Sequence, residues 1–418
     1  MTTDPAEVFV DLARDHDRMF WLDGGGSREW SGRRSLLGAL SADDVSLTYD
    51  GGTRRVTRHT SHSEVVGDDI FGVLEEELRA DGGDPSVHWV GYFGYAARPD
   101  LPALVDPRVP DAVWMRVRDP VIIEHPPTHP GPPALGEPRG PVPPDYAAAY
   151  AEVQRQLRLG NSYEVNLTYR ESVHSEADPV AAYLRLRSAN AGPYSGFLRH
   201  HDVRLLSSSP ERFATVDRLR WLEAKPIKGT TARSTDAVTD RAEAERLGND
   251  AKFRAENLMI VDLLRNDLAI VCEPGTVTVP TLMEVESYPS VHQLVSTIRG
   301  HLRDDIATVP ALRALFPAGS MTGAPKLRTM QVIHDVESTP RGVYAGAFGW
   351  ISGDGRADLG VVIRSLVATP AGVGFRYDLG TGGAITVRSD VAEEYAETRW
   401  KARRLLDAVA DRPAPRMV

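Results

Sequence analysis

The sequence predicts an α+β fold, and three observations carry that prediction. Stretches with apolar residues at helical spacing alternate irregularly with short runs rich in β-branched and aromatic residues. No segment repeats at a fixed period, and no heptad run is present. No βαβ unit carries a glycine-rich dinucleotide fingerprint, so pattern alone supports an irregular α+β architecture.

Residues 1–124 read as a β-rich N-terminal region. VSLTYDGGTRRVTRH and the Gly/aromatic segment HWVGYFGYAARPD predict sheet joined by turns. Residues 125–144, HPPTHPGPPALGEPRGPVPP, are too dense in Pro and Gly for a helix or a central strand and predict a surface crossover. The remaining region, 145–412, opens with DYAAAYAEVQRQLRLGNS, a helix capped by Asp145 and stopped at Gly160-Asn161, which feeds the strand YEVNLTYRESV. Further helices are expected at DPVAAYLRLRSAN, at TDRAEAERLGND running into AKFRAENLMIVDLLRND, at GAPKLRTMQVIHDVE and at SDVAEEYAETRWKARRLLDAV. VRLLSSSP and LGVVIRSLVATP read as strands between them.

Composition narrows the function classes. At 418 residues the chain exceeds the size at which one core usually stops growing, so one very large or two intimately packed domains are expected. A formal charge of −10 disfavours nucleic acid and anionic lipid as partners. No stretch approaches the roughly 20 apolar residues of a membrane span. The N-terminus MTTDPAEVFVDLARD lacks an apolar leader core, which makes the cytoplasm the expected location. The lone Cys272 cannot form an internal disulfide and is expected to be a packing residue.

PIKGT, SMTGAPK and DLGTGGAI combine Gly with hydroxyl or charged residues and can present backbone N–H groups to an anion. None matches the phosphate loop of nucleotide-binding proteins. Near the C-terminus, Glu393 and Glu394 share a helix face with Glu397. Such carboxylates repel unless a cation offsets them, and Mg²⁺ is the hard divalent ion suited to the task.

A series of motifs in order resembles the chorismate-utilising enzymes, the family of anthranilate and aminodeoxychorismate synthase large subunits. The blocks are GNSYEVNLTYRE, SSSPERF, KPIKGT, RAENLMIVDLLRNDL, YPSVHQLVSTIRG, FPAGSMTGAPKLRTMQ, GVYAGAFGW, LGVVIRSL, GTGGAI and EEYAETRWKA. They span about Tyr150 to Asp407, while FWLDGG and SGRRSLLG resemble the family's N-terminal region more loosely. The resemblance implies two large, mostly antiparallel sheets packed face to face with helices outside.

It also implies a site. Glu256 and Glu397, with Glu394 beside them, would bind Mg²⁺. Glu211 would protonate the departing C4 hydroxyl of chorismate, which requires a raised pKa. Arg364 and the amides of Gly382 and Gly383 would hold substrate carboxylates, with His292, Thr322, Thr230 and Glu164 as further pocket residues. Lys228 of PIKGT matches the aminodeoxychorismate-forming members, whereas anthranilate-forming members commonly carry alanine there. An amine at this position can attack C2 as the C4 hydroxyl departs, after which ammonia enters at C4. A free lysine titrates near 10.4, so its surroundings, with Lys225 as one contributor, are expected to lower that value.

Glu164 departs from the glutamine of many amine-using relatives and from the lysine base of water-using ones. FWLDGG lacks the LLES-like segment associated with tryptophan feedback. The resemblance further implies that ammonia comes from a separate glutamine amidotransferase subunit. The expected activity is therefore transaminase-class amination of chorismate to 4-amino-4-deoxychorismate on the route to 4-aminobenzoate. The rival expectations are a C2-aminating anthranilate or 2-amino-2-deoxyisochorismate synthase and a catalytically silent chorismate-binding scaffold.

Overall fold

The computed structural model describes residues 4–26, 34–125, 140–189, 191–288 and 291–410. Most of the Pro/Gly-rich crossover, the start of SGRRSLLG, Pro289-Ser290 of YPSVHQLV and the end of the 145–412 region lie outside the described residues.

Two sheets dominate. The nine-stranded sheet runs Gly323–Ala324, Glu164–Ser175, Phe375–Ile385, Ser365–Pro370, Val203–Ser209, Tyr194–His200, Arg18–Asp23, Arg34–Ala39, Val121–Glu124. The twelve-stranded sheet runs Ile227–Ala232, Val291–His301, Trp221–Lys225, Arg212–Val216, Ala357–Val361, Ala347–Ser352, Val87–Phe93, Ala112–Arg118, Ser46–Asp50, Arg55–His59, Ser63–Gly67, with Thr278–Ser287 also paired to Val291–His301. The pairings within both sheets are antiparallel. Strands from the first 124 residues continue both sheets.

Strand alternation explains the layering. On Val87–Phe93, Val90 and Tyr92 meet Phe20, Leu198 and Leu205 of the other sheet in an inter-sheet core. Trp89 and Phe93 point the other way, into a core roofed by helices Ile70–Ala80, Ala251–Val271 and Thr308–Leu315. The outer face of the nine-stranded sheet is covered by Pro5–Asp15, Pro179–Ala189 and Val391–Val409, packed around Phe9, Trp21, Tyr183 and Leu405. Two sheets face to face with helices outside is the architecture that the motif series implied.

The structure corrects three local expectations. Residues 1–124 are not sheet alone, because Pro5–Asp15 and Ile70–Ala80 are helices, each capped by an aspartate side chain. The helix expected from Asp145 spans Pro144–Arg158 and lacks a side-chain cap; Asp145 lies in its first turn, where its charge favours the helix N-terminus. LGVVIRSLVATP is two strands in different sheets, Ala357–Val361 and Ser365–Pro370, and Arg364 stands at the break with φ +51°.

Cys272 is buried and its thiol is pushed up to about 11 by burial, in keeping with a packing role. No helix among the described residues is long and apolar enough to cross a membrane.

Candidate functional site

Two of the chain's passages from one sheet to the other lie side by side. Val203–Ser209 hands over to Arg212–Val216 through Pro210-Glu211, and Ala357–Val361 hands over to Ser365–Pro370 through residues 362–364. The Val361 amide donates to the Glu211 carbonyl (3.0 Å), and the Ser208 amide to the Arg364 carbonyl (3.1 Å). These paired crossings place Glu211 and Arg364 on the wall of one cavity of about 140 Å³.

Lys228 reaches the same cavity from the edge strand Ile227–Ala232. Its register against Val291–His301 slips between Ile227 and Thr230, and Gly229 takes φ +85°, so Lys228 and Gly229 form a bulge that re-aims the lysine. A Cβ on Gly229 would lie 2.8 Å from the Phe253 ring, so both the backbone twist and the space require glycine.

Two helices close the cavity. Ala251–Val271 contributes Lys252 and Glu256 one turn apart, and Val391–Val409 contributes Glu394, Glu397 and Lys401. The strand Phe375–Ile385 lays Gly380, Thr381, Gly382 and Gly383 along the floor. A Cβ on Gly382 would fall 2.3 Å from the Leu167 carbonyl oxygen, whereas one on Gly383 would point toward Glu394 Oε2 at 3.3 Å.

The electrostatics are unusual for an idle surface. Burial pushes Glu211 up to about 7, against the opposing effect of its hydrogen bond from Ser320 Oγ (2.6 Å). Glu256 rises to about 8, chiefly through burial, and its Oε1 is buried without a partner among the described residues. Glu394 is also raised by burial and by Glu397, although Lys252 Nζ lies 2.7 Å from it. Glu397 faces the open side with 46% of its side chain exposed; burial in the cleft opposes its ionisation, but Lys401 at 2.6 Å holds it below the usual range. Arg364 lies over the Trp400 ring (4.9 Å), and burial depresses it to about 10.

Lys228 behaves differently from the expectation. Burial favours its neutral form, but Glu164, Glu256 and Glu211 outweigh that and raise it above its ordinary value. Glu164 Oε1 lies 2.5 Å from Nζ. Lys225 is instead paired with Glu286 (2.6 Å) and is not among the described residues lining the cavity.

Of the residues expected from sequence, Lys228, Glu211, Arg364, Gly382, Gly383, Thr230, Glu256, Glu394 and Glu397 line this one cavity. Glu164 sits behind Lys228. His292 and Thr322 are not on its wall. His292 binds Ser287 Oγ (2.8 Å) and Asp240 Oδ1 (3.1 Å), and strand alternation presents its neighbour Gln293 instead. The Thr322 hydroxyl turns back to the carbonyls of Ala318 and Gly319, and Ser320 and Met321 face the cavity.

Sequence reasoning missed Lys252, Lys401, Ser320 and Tyr344. The lysines had a signal, since each lies four residues from a site glutamate, Glu256 or Glu397.

Among the described residues no group of three or more His, Cys, Asp or Glu side chains converges as a ready-made metal cage. The donor chemistry nevertheless fits a hard divalent cation, because Glu256 keeps a buried oxygen without a partner beside Glu394 and Glu397.

Comparison with known proteins agrees with this geometry. The chain is 36% identical to an aminodeoxychorismate synthase of Streptomyces pristinaespiralis, over 97% of this chain and 64% of that protein. It is 44% identical to aminodeoxychorismate synthase component 1 of Salmonella typhimurium, over 63% of this chain and 57% of that one. The chain therefore spans less than two thirds of the length of these relatives. Its fold resembles the crystal structure of anthranilate synthase component I from Streptococcus pneumoniae, with a TM-score of 0.72 at 24% identity, covering 90% of this chain and 93% of the other. The family model described as chorismate binding enzyme matches residues 125–407, which include every residue that lines the cavity, and the chain belongs to that family.

Proposed function

We propose that this chain aminates chorismate at C4, forming 4-amino-4-deoxychorismate as the chorismate-aminating component of an aminodeoxychorismate synthase. The observation that carries the reading is Lys228: an amine with 8% of its side chain exposed, aimed by a bulge into a cavity that is also lined by Glu211, whose carboxyl burial raises to about 7. Amination at C4 with retention needs a nucleophile to occupy C2 while the C4 oxygen leaves, and a proton for that oxygen. Lys228 and Glu211 supply these two functions.

The lining carboxyls favour a cation beside an anionic substrate. Burial raises Glu256 to about 8, and burial together with Glu397 raises Glu394 above its usual value. A divalent cation bound beside them would stabilise their ionised forms and partner a substrate carboxylate. Glu256 and Glu397, with Glu394 beside them, would hold Mg²⁺, which when bound supplies positive charge to the ring carboxylate. Arg364 and the Gly382-Gly383 segment would receive carboxylate oxygens. Ammonia would come from a separate glutamine amidotransferase, as the component 1 name of the Salmonella relative suggests.

The test is chorismate consumption by the purified chain with Mg²⁺ and ammonium, compared with Lys228→Ala. The reading expects turnover by the native chain and no C4-aminated product from the variant. An alanine variant that aminates C4 at the native rate would refute it.

A further inference from the structure

Lys228 presents a problem for its own proposed role. Glu164, Glu256 and Glu211 hold it as an ammonium, which has no lone pair with which to attack. Of these three carboxylates only Glu164 forms an ion pair with it, at 2.5 Å. Glu211 accepts from Ser320. Glu164 is fully buried, with 0% of its side chain exposed, and its Oε2 has no partner among the described residues. The backbone fixes it from both sides: its carbonyl accepts from Ser162 Oγ (2.8 Å), and it pairs with Ala324 at the sheet edge.

We propose that Glu164 is the proton acceptor for Lys228, so that nucleophile and base form one buried unit. The inference rests on the reading of Lys228 as nucleophile. Transfer converts the ion pair into a neutral pair without changing its proton count. Shielding from water by bound substrate favours that conversion, because ions lose more than neutral groups on leaving water.

The electrons then balance. The freed Nζ lone pair forms a bond to C2, both ring double bonds shift (C1=C2 to C1=C6 and C5=C6 to C4=C5), and the C4–O bond breaks with the proton of Glu211, releasing water. Ammonia's lone pair forms the C4–N bond, both double bonds shift back, and the C2–N pair leaves with Lys228 as a neutral amine. Glu164 hands its proton back, and solvent reprotonates Glu211.

A glutamine at this position cannot accept the proton, so the lysine would have to lose it to solvent and the rate would follow bulk pH. The charged groups facing Lys228 are Glu164, Glu256 and Glu211, and Lys252, Arg364 and Lys401 line the same cavity.

The experiment mixes the native chain, Glu164→Gln and Glu164→Asp with chorismate and Mg²⁺ without ammonium. Mass spectrometry follows the Lys228 adduct, one water lighter than chorismate, from about pH 5.5 to 9.5. The native chain and Glu164→Asp are expected to share one profile shape, with no acid limb from the lysine and a slower rate for the aspartate. Glu164→Gln is expected to gain an acid limb, its rate falling about tenfold per pH unit. A glutamine profile that superimposes on the native one overturns the inference and leaves the reading of Lys228 standing. Absence of any adduct on Lys228 in the native chain brings down that reading and the inference with it.

Discussion

Glu211 is the residue whose chemistry is most constrained by its surroundings. Burial raises it to about 7, so it carries a proton below that pH and loses it above. If it protonates the leaving oxygen, chorismate turnover should fall about tenfold per unit above pH 7, and Glu211→Gln should lose on the order of 100-fold or more and abolish that limb. A pH–rate profile of both proteins checks this. The requirement for a raised acid was legible in the sequence, because the departing hydroxyl demands it; the state of Lys228 was not. Its ionisation depends on Glu164 and Glu256, more than sixty residues before and nearly thirty after it in sequence, which only folding brings together. His292 and Thr322 show the same limit at closer range. Each neighbours a residue that does line the cavity, and a one-residue step along a strand or turn reverses the direction of a side chain.

Single elements decide where those side chains point. Gly382 and Gly383 were read together from sequence, yet the strand gives them separate tasks. Gly382→Ala sets a methyl against the Leu167 carbonyl oxygen and should destabilise the fold by about 1–3 kcal/mol, measured by denaturant unfolding. Gly383→Ala directs its methyl toward Glu394 and should leave stability nearly unchanged while raising the KM for chorismate about tenfold. Equal losses of stability in the two variants would contradict this division. Most helices and strands were legible because their apolar periodicity and caps are local. LGVVIRSLVATP was not, since one continuous apolar run can serve two buried strands in different sheets, and the turn at Arg364 uses a left-handed backbone that no glycine announces. That hidden break, next to the crossing through Glu211, builds the wall of the site.

At the scale of the whole molecule, stability and site chemistry can be separated. Asp111 is buried away from the cavity wall, with its Oδ1 without a partner among the described residues, and burial pushes it up to about 7 from 3.8. A folded value above the unfolded one means that its contribution is fully present below pH 3.8 and is lost as pH rises through 7. Asp111→Asn should therefore raise the Tm above pH 7, by up to about 4 kcal/mol in stability, with the gain shrinking as pH falls toward 4 and chorismate turnover unaffected. Thermal unfolding across that range checks it.

The central claim concerns where nitrogen enters the ring, and the most direct measurement is product identity. The purified chain is incubated with chorismate, Mg²⁺ and ammonium, an aminodeoxychorismate lyase is added to half the sample, and the aromatic products are identified by mass spectrometry and fluorescence. The account predicts 4-aminobenzoate only where lyase is present. Anthranilate formed without lyase would contradict it, and so would chorismate left unconsumed.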